Sequence, residues 1–581
     1  MSDDDLEIRP GRIRDRSSGQ GKARTLKAQL RALANRSGHG GRAGGSGSRR
    51  SSGRLARGRI ASLQASSRAS QRRVIVKARI VRHRGARFTA APLAKHLTYL
   101  KRDGVTRDGK DAALFGSGDD TVDGGAFAER CADDRHHFRF IVSPEDTAEL
   151  TDVRSFTRDL LTQMEKDLGT DLDWVAVDHW NTENPHIHIL VRGKAEDGRD
   201  LVIDRSYISE GMRARAAQLV TMELGARTQQ DIDRSLAREV QADRWTGLDR
   251  QLQTLGDGLG GVVDLRPDPQ RIGNPANQHL IGRATKLERM GLADRIAPAC
   301  WRLKPALEQA LRELGTRGDI IKTMHRAMTG HGLAAEAGRF ALHNERASEP
   351  VLGRLVERGL HNELTGQAYA VVDGVDGRVH HCKFSDIDLT GDAAPGAIVE
   401  LRVWTDRRGR EQSSLLTHSD LDLATQERSG GATWLDKQLI ASEPLPLGPG
   451  FGSEVEAAKT RRLEYLESEG LAQRRGDRFA LSRNLLGTLR ERDLADAGAS
   501  LSREHGLPYR QSRSSGEVSG VYRQRIQLAS GRFAMIDDGL GFSLVPWSKQ
   551  LDRQLGQYVS GQPRSGGGIE WTLGRSRSIE I

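Results

Sequence analysis

The stretch from Trp174 to Leu190 leaves this chain few local folds to choose from. The apolar run Trp174-Val175-Ala176-Val177 reads as a strand that His179 closes, Asn181 to Pro185 is turn material, and His186-Ile187-His188-Ile189-Leu190 reads as a second strand. Two strands joined this way make a hairpin. Side chains alternate faces along a strand, so His186 and His188 point one way while Ile187, Ile189 and Val191 point into a core. The hairpin also brings His179 to the other two. Three neutral imidazoles form a facial ligand set for a divalent cation, with open positions for water or a phosphate oxygen. A lone His-x-His more often satisfies local hydrogen bonds, and it is the third histidine ahead of the turn that favours a metal site. Imidazoles alone would suit zinc, manganese, iron or copper.

Around this hairpin the sequence predicts an α+β domain of antiparallel strands backed by helices. Val74 to Val81 and Phe138 to Val142 read as further strands, and a short helix from Pro92 carries Leu93, Leu97, Tyr99 and Leu100. After Ser143-Pro144-Glu145 an amphipathic helix carries Leu150, Val153, Phe156, Leu160, Leu161 and Met164, and another helix runs from about Ser209 to Leu224. At 581 residues the chain is too long for one core. The expected division is a disordered basic tail 1–73, the α+β domain 74–250, a linker 251–277, a module 278–405, a linker 406–449, a second module 450–550 and a tail 551–581.

The two modules are predicted from a repeat. Leu287-Glu288-Arg289-Met290-Gly291-Leu292-Ala293 matches Leu466-Glu467-Ser468-Glu469-Gly470-Leu471-Ala472, each ending a helix at a glycine. The match continues from Trp301-Arg302-Leu303 to Phe479-Ala480-Leu481, and into helices spaced Leu303, Leu307, Leu311 and Leu481, Leu485, Leu489. A helix, a Gly-capped stop, a short strand and another helix suit a small winged-helix unit, and the β-rich stretch behind each copy suits a small barrel.

Charge is uneven along the chain. Residues 1–73 hold 18 Lys/Arg and 5 Asp/Glu, a net +13, so the other 508 residues sum to −2 against a total of +11. Such a tail solubilises, holds phosphates by counterion release, or is read by a partner. No stretch approaches the roughly 20 apolar residues of a membrane span, and the start lacks a signal-peptide core, so a cytoplasmic protein without membrane insertion is expected. Cys131, Cys300 and Cys382 fall in no CxxC spacing, which argues against a disulfide framework or a zinc ribbon.

Tyr99 adds a substrate to the metal. A tyrosine hydroxyl, with a free pKa of ~10, is a weak nucleophile that a nearby cation holding a phosphate could activate. Lys95, His96, Lys101 and Arg102 surround it as candidate phosphate contacts. By itself Tyr99 reads as an ordinary amphipathic tyrosine, and its place upstream of three histidines in a basic chain reverses that.

The order His96-Leu97-Thr98-Tyr99-Leu100-Lys101-Arg102, then Phe140-Ile141-Val142-Ser143-Pro144-Glu145-Asp146, then His179 to Leu190 resembles the three motifs of conjugative DNA relaxases. These are mobilisation nucleases of the HUH endonuclease superfamily, in the branch related to the T-DNA border nuclease. The resemblance covers roughly 74–250, and the repeated part looks like the long extension of one relaxase subfamily. It implies that Tyr99 attacks a phosphodiester at a transfer origin and is left joined to the DNA 5′ phosphate. His179, His186 and His188 would bind Mg²⁺ or Mn²⁺, and Ser143 would contact DNA near the nick. Implied partners are single-stranded and supercoiled origin DNA, accessory relaxosome proteins and a type IV secretion coupling protein, with translocation of the enzyme on the transferred strand. The pattern departs at Asn181, where several relatives have an aspartate, so the base is left among Asp178, Glu183, Glu145 and Asp146. Two other readings compete: a rolling-circle initiator or transposase using Tyr207, which follows the histidine strand, and a non-catalytic DNA-binding regulator.

Overall fold

The computed structural model describes residues 7–8, 57, 71–83, 91–101, 112–180, 185–266, 276–342, 350–405, 409, 411–476, 478–511, 517–564 and 568–572. The tail expected over 1–73 thus lies almost wholly outside the described residues. The chain divides into two units, Met1–Ala242 with Thr246–Lys304, and Asp243–Trp245 with Pro305–Ile581. Both mix helices with mainly antiparallel sheets. Among the described residues no helix is long and apolar enough to cross a membrane.

The first unit is built on a five-stranded antiparallel sheet of β1 (Glu7–Ile8), β2 (Val74–Arg82), β3 (His136–Pro144), β4 (Trp174–His179) and β5 (His186–Arg192), in the order β1-β2-β3-β5-β4. Its helices are α1 (Ala91–Leu100), α2 (Gly124–Arg130), α3 (Val153–Leu168), α4 (Met212–Leu224), α5 (Gln229–Gln241), α6 (Gly247–Gly256) and α7 (Ala276–Arg289). The strict alternation of β3 and β5 sends Phe138, Phe140, Val142, Ile187, Ile189 and Val191 to one face, where Phe156, Leu160, Leu161 and Met164 of α3 and Val220 of α4 close the main core. Asp152 caps α3 by accepting from the Arg154 backbone N–H, and Gly169, at φ 63°, ends it in the left-handed conformation open to glycine. On the other face Leu93, Leu97 and Leu100 of α1 and Phe127 of α2 cover Val175, Val177 and Leu190.

The stretch expected as a linker, 251–277, instead contributes the end of α6 and strand β6 (Val262–Asp264), which pairs with β8 (Cys300–Leu303), itself hairpinned to β7 (Ala293–Ala297). Its Gly and Asp content marks the turns around a three-residue strand. The second unit contains α8 (Leu307–Gly330), then β9 (Phe340–Leu342), β10 (Val351–Asn362), β11 (Gln367–Gly374), β12 (Val379–Phe384), β13 (Ile398–Thr405) and β14 (Glu411–Ser419) in one sheet. There follow α9 (Leu423–Glu427), α10 (Trp434–Leu439), α11 (Phe451–Ser468), the hairpin β15 (Ala472–Arg475) with β16 (Arg478–Leu481), and α12 (Leu485–His505). The last sheet holds β17 (Val518–Leu528), β18 (Gly531–Asp537), β19 (Phe542–Pro546), β20 (Tyr558–Pro563) and β21 (Ile569–Thr572). Among the described residues neither large sheet closes on itself into a barrel. The expected tail 551–581 supplies β20 and β21, and the expected linker 406–449 supplies β14, α9 and α10.

The repeat reaches deeper than its sequence match. Thr246 caps α6 in a reciprocal capping box with Asp249, and the Asp249 carboxylate is gripped by Arg283 of α7 through Nε at 2.7 Å and Nη2 at 2.9 Å. Arg283 also donates to the carbonyls of Val240 and Ala242. In the second unit Thr433 and Asp436 make the same box, and Arg462 of α11 grips Asp436 at 2.8 Å through both Nε and Nη2 while donating to the carbonyls of Ser429 and Gly431. The alignment that lays Leu287 on Leu466 lays Arg283 on Arg462. All four side chains are fully buried. Gly291 and Gly470, at φ 72° and 71°, make the same left-handed stop before their hairpins. The sheets correspond as well: β10 bulges between Leu355 and Glu357, β17 between Tyr522 and Gln524, each two residues beyond a glycine, Gly353 or Gly520, whose Cβ would strike the carbonyl of Asp373 or Asp537.

Candidate functional site

The three histidines lie on the face of the sheet that α1 and α2 cover. His179 stands opposite His186 across β4 and β5, and His188 stands opposite Val177. Ring centroids are 4.5 Å apart for His179 and His188, 4.9 Å for His186 and His188, and 5.5 Å for His179 and His186. One ring nitrogen from each lies within 4.8 Å of those of the other two. All three are buried.

Two contacts define the cluster. His186 Nε2 and His188 Nε2 approach to 3.1 Å. Two nitrogens each ~2.1 Å from a shared cation, at right angles about it, would be about 3.0 Å apart, so this pair is spaced as ligands are. His179 Nε2 lies 2.8 Å from the carbonyl oxygen of Leu100. A carbonyl only accepts, so Nε2 carries the proton and Nδ1 is the nitrogen left with a lone pair. That bond ties the C-terminal end of α1 to the cluster, and Tyr99 is the residue before Leu100. The approach to His186 is secured too: Ser143 donates to the carbonyl of Pro185 at 3.2 Å, and the Thr147 hydroxyl, which donates to the Pro144 carbonyl at 2.7 Å, lies 3.1 Å from the same Pro185 oxygen.

The other expected residues scatter. The side chains of Tyr99 and Lys95, and all of Arg102, Asn181 and Glu183, lie outside the described residues. His96 is buried in α1 beside Leu93, Leu97 and Leu100, and Lys101 is exposed. Asp178 neighbours His179 in the strand and therefore faces the opposite way, where its carboxylate accepts from the Trp180 indole at 2.7 Å and lies 3.6 Å from Arg154. Asp146 is paired with Arg72 at 2.9 Å, and Glu145 lies 3.5 Å from Arg238. Tyr207 is in the main core on the far face, its hydroxyl donating to Asp167. Burial and the Asp167 charge push its pKa far up, which disfavours it as a nucleophile. The contacts of Leu100 and Thr147 were not legible in the sequence, because a backbone carbonyl and a loop hydroxyl carry no motif.

Residues 280–412 and 402–580 match a protein family described as a protein of unknown function, DUF3363. These segments span half of the chain, and the chain belongs to that family. No curated protein and no solved structure matches it.

Proposed function

We propose that this chain is a DNA relaxase, a site- and strand-specific nuclease that starts conjugative transfer from a plasmid or integrative element. The observation that carries the reading is the 2.8 Å bond between His179 and the Leu100 carbonyl, which sets the helix end bearing Tyr99 against three clustered imidazoles. In this reading the five-stranded sheet is an HUH-type nuclease sheet, and the repeated helix, hairpin and sheet units are winged-helix-like and barrel-like modules. The Tyr99 oxygen bonds to phosphorus, the bond from phosphorus to the 3′ oxygen breaks, the tyrosine proton passes to a base and the leaving oxygen becomes a 3′ hydroxyl. The ester bond is exchanged without loss, so rejoining needs no high-energy cofactor. His179, His186 and His188 would hold a divalent cation, whose contribution is to offset negative charge developing on the phosphate. Three nitrogen donors suit Mn²⁺ better than the oxygen-preferring Mg²⁺. Ser143, through its bond to the Pro185 carbonyl, steadies the approach to His186. Origin DNA, relaxosome proteins and a secretion coupling protein are the partners this reading implies.

The test mixes the full chain with supercoiled origin DNA and Mn²⁺ or Mg²⁺ and looks for protein joined to a 5′ end. Tyr99→Phe is expected to abolish the adduct and Tyr207→Phe to retain it; EDTA, or His186→Ala with His188→Ala, is expected to abolish it as well. An adduct formed by Tyr99→Phe would remove Tyr99 as nucleophile, and one that persisted in EDTA would remove the metal.

A further inference from the structure

The two copies of the repeated unit differ in how their long helix meets its sheet. In the second copy α12 closes on β17, β18 and β19 through an apolar interface, where Leu494, Ala497 and Leu501 pack against Leu528, Phe533 and Leu544. The leucine register that lays Leu311 on Leu489 lays Thr316, Asp319 and Thr323 of α8 on the three helix positions. Ala370 on Ala534, with the strand pairings, lays His361, Tyr369 and His381 on the three sheet positions. Six apolar residues that seal one interface are thus replaced in the other by six that each carry a polar group. With Ile320 and Leu360 these six line a cavity of about 260 Å³, far more than the ~10–15 Å³ that one bridging water needs. Polar groups turned into an interior cost stability, and the second copy shows that the fold closes without them.

The lining accepts more than it donates. The Thr316 hydroxyl donates to the Arg312 carbonyl at 3.0 Å and the Thr323 hydroxyl to the Asp319 carbonyl at 2.9 Å, so both offer the cavity lone pairs. The Asp319 carboxylate adds two acceptor oxygens, and the Tyr369 hydroxyl donates to Glu357. The floor is flat: Tyr369 and His381 are buried and stacked, with ring centroids 5.3 Å apart and planes 12° apart. Gly359 makes room for this, since a Cβ there would lie 2.9 Å from the Tyr369 ring, and the second copy has Ile526 at the same position. Lys383 stands opposite Tyr369 on the same face, and partial burial followed by the Lys383 charge holds the His361 pKa below its ordinary value. That charge opposes a cationic guest as it opposes a protonated imidazole.

We propose that the cavity binds one unstacked guanine base, its donor edge on Asp319 and its face on the Tyr369 and His381 rings. A guest here needs a flat face, adjacent N–H donors and no net charge. Guanine presents N1–H and its exocyclic NH2 side by side, to be accepted by the two carboxylate oxygens, whereas adenine, cytosine and thymine set an acceptor beside the donor on that edge. A free guanine nucleotide and a guanine in a DNA single strand share this chemistry. Neither Tyr99 nor the three clustered histidines take part, so a failed test here leaves the nuclease reading untouched, and the reverse.

The experiment is isothermal titration calorimetry of the full chain, in EDTA, with dGMP, dAMP, dCMP and dTMP, which compare four bases on a common sugar phosphate. Binding of dGMP is expected to be at least about tenfold tighter than that of the other three. Asp319→Asn, which turns one acceptor into a donor, should remove that preference. Thr316→Leu with Asp319→Ala and Thr323→Leu, the residues of the second copy, should abolish binding with an unchanged circular dichroism spectrum. Equal affinities for the four nucleotides, or a guanine preference that survives both variants, overturn the assignment. Agmatine competing as well as dGMP would make the cavity a guanidinium site and overturn it too. Oligothymidylate with one central deoxyguanosine then identifies the source: a gain over plain oligothymidylate that Asp319→Asn removes assigns the strand, and dGMP binding without such a gain assigns the free nucleotide.

Discussion

His137 is buried at the end of β3 away from His179, His186 and His188, in a chain of hydrogen bonds that fixes every proton. The Arg139 Nε–H can only donate, so His137 Nε2 accepts. His137 Nδ1–H therefore donates to His83 Nε2 at 2.8 Å, and His83 Nδ1–H to the Asp134 carbonyl at 2.6 Å. Both rings are neutral in this arrangement, and an added proton would set donor against donor. Burial, then the Arg139 charge and the neighbouring histidines, hold the His137 pKa well below its ordinary value, and burial also lowers His83 and His136. The folded state thus resists a proton that the unfolded chain accepts near pH 6.5. The stability these neutral rings contribute is complete above that pH and is lost as pH falls through it, by up to about 1.4 kcal/mol per unit for a ring that stays neutral. Urea unfolding at pH 7.5 and 5.5 should show the midpoint falling in acid. His137→Gln keeps a donor and an acceptor but cannot titrate, and it should flatten that fall; an equal fall in the variant would place the titration elsewhere.

At the scale of elements, the duplicated pairs of Arg283 with Asp249 and Arg462 with Asp436 each lock a long helix onto the capping box of a shorter one. Arg462→Met would leave a carboxylate buried without its cation and two carbonyls without a donor, at a cost of about 3–5 kcal/mol. Adding Asp436→Leu should recover most of this, less about 1 kcal/mol for the lost capping box. Hydrogen exchange across 429–471 is the readout, and exchange no faster in Arg462→Met than in the wild type would mean the pair does not hold α10 to α11. The repeat was legible in the leucine spacing and in Gly291 and Gly470, because a helix face and a left-handed stop restrict residue type. The capping boxes were not found, although Thr246-Gly247-Leu248-Asp249 and Thr433-Trp434-Leu435-Asp436 carried the signal, because both fell in segments read as boundary or linker. The histidine hairpin was legible for the opposite reason: alternation and a proline turn specify register. The same alternation in Val74-Ile75-Val76-Lys77-Ala78-Arg79 marks a basic face, but sequence cannot say which half of a face its helices cover.

At the scale of the whole molecule the excess positive charge lies in residues 1–73, and its role can be tested by deletion. Arg57 is where the tail joins described structure: its backbone bonds Val202 and Asp204, and its guanidinium reaches the carbonyl of Gly169 at 2.8 Å. A deletion ending before it, of residues 1–53, removes 12 Lys/Arg and 5 Asp/Glu and takes the chain from +11 to +4. It also removes β1, which pairs with β2 through only two residues. Counterion release by Lys and Arg at phosphates takes little account of strand number or sequence, so the deletion should weaken single-stranded and duplex DNA by similar factors and flatten the salt dependence of both. Anisotropy titrations of both DNA forms with the truncated chain decide the matter, and a deletion that spared duplex binding would overturn this reading of the tail.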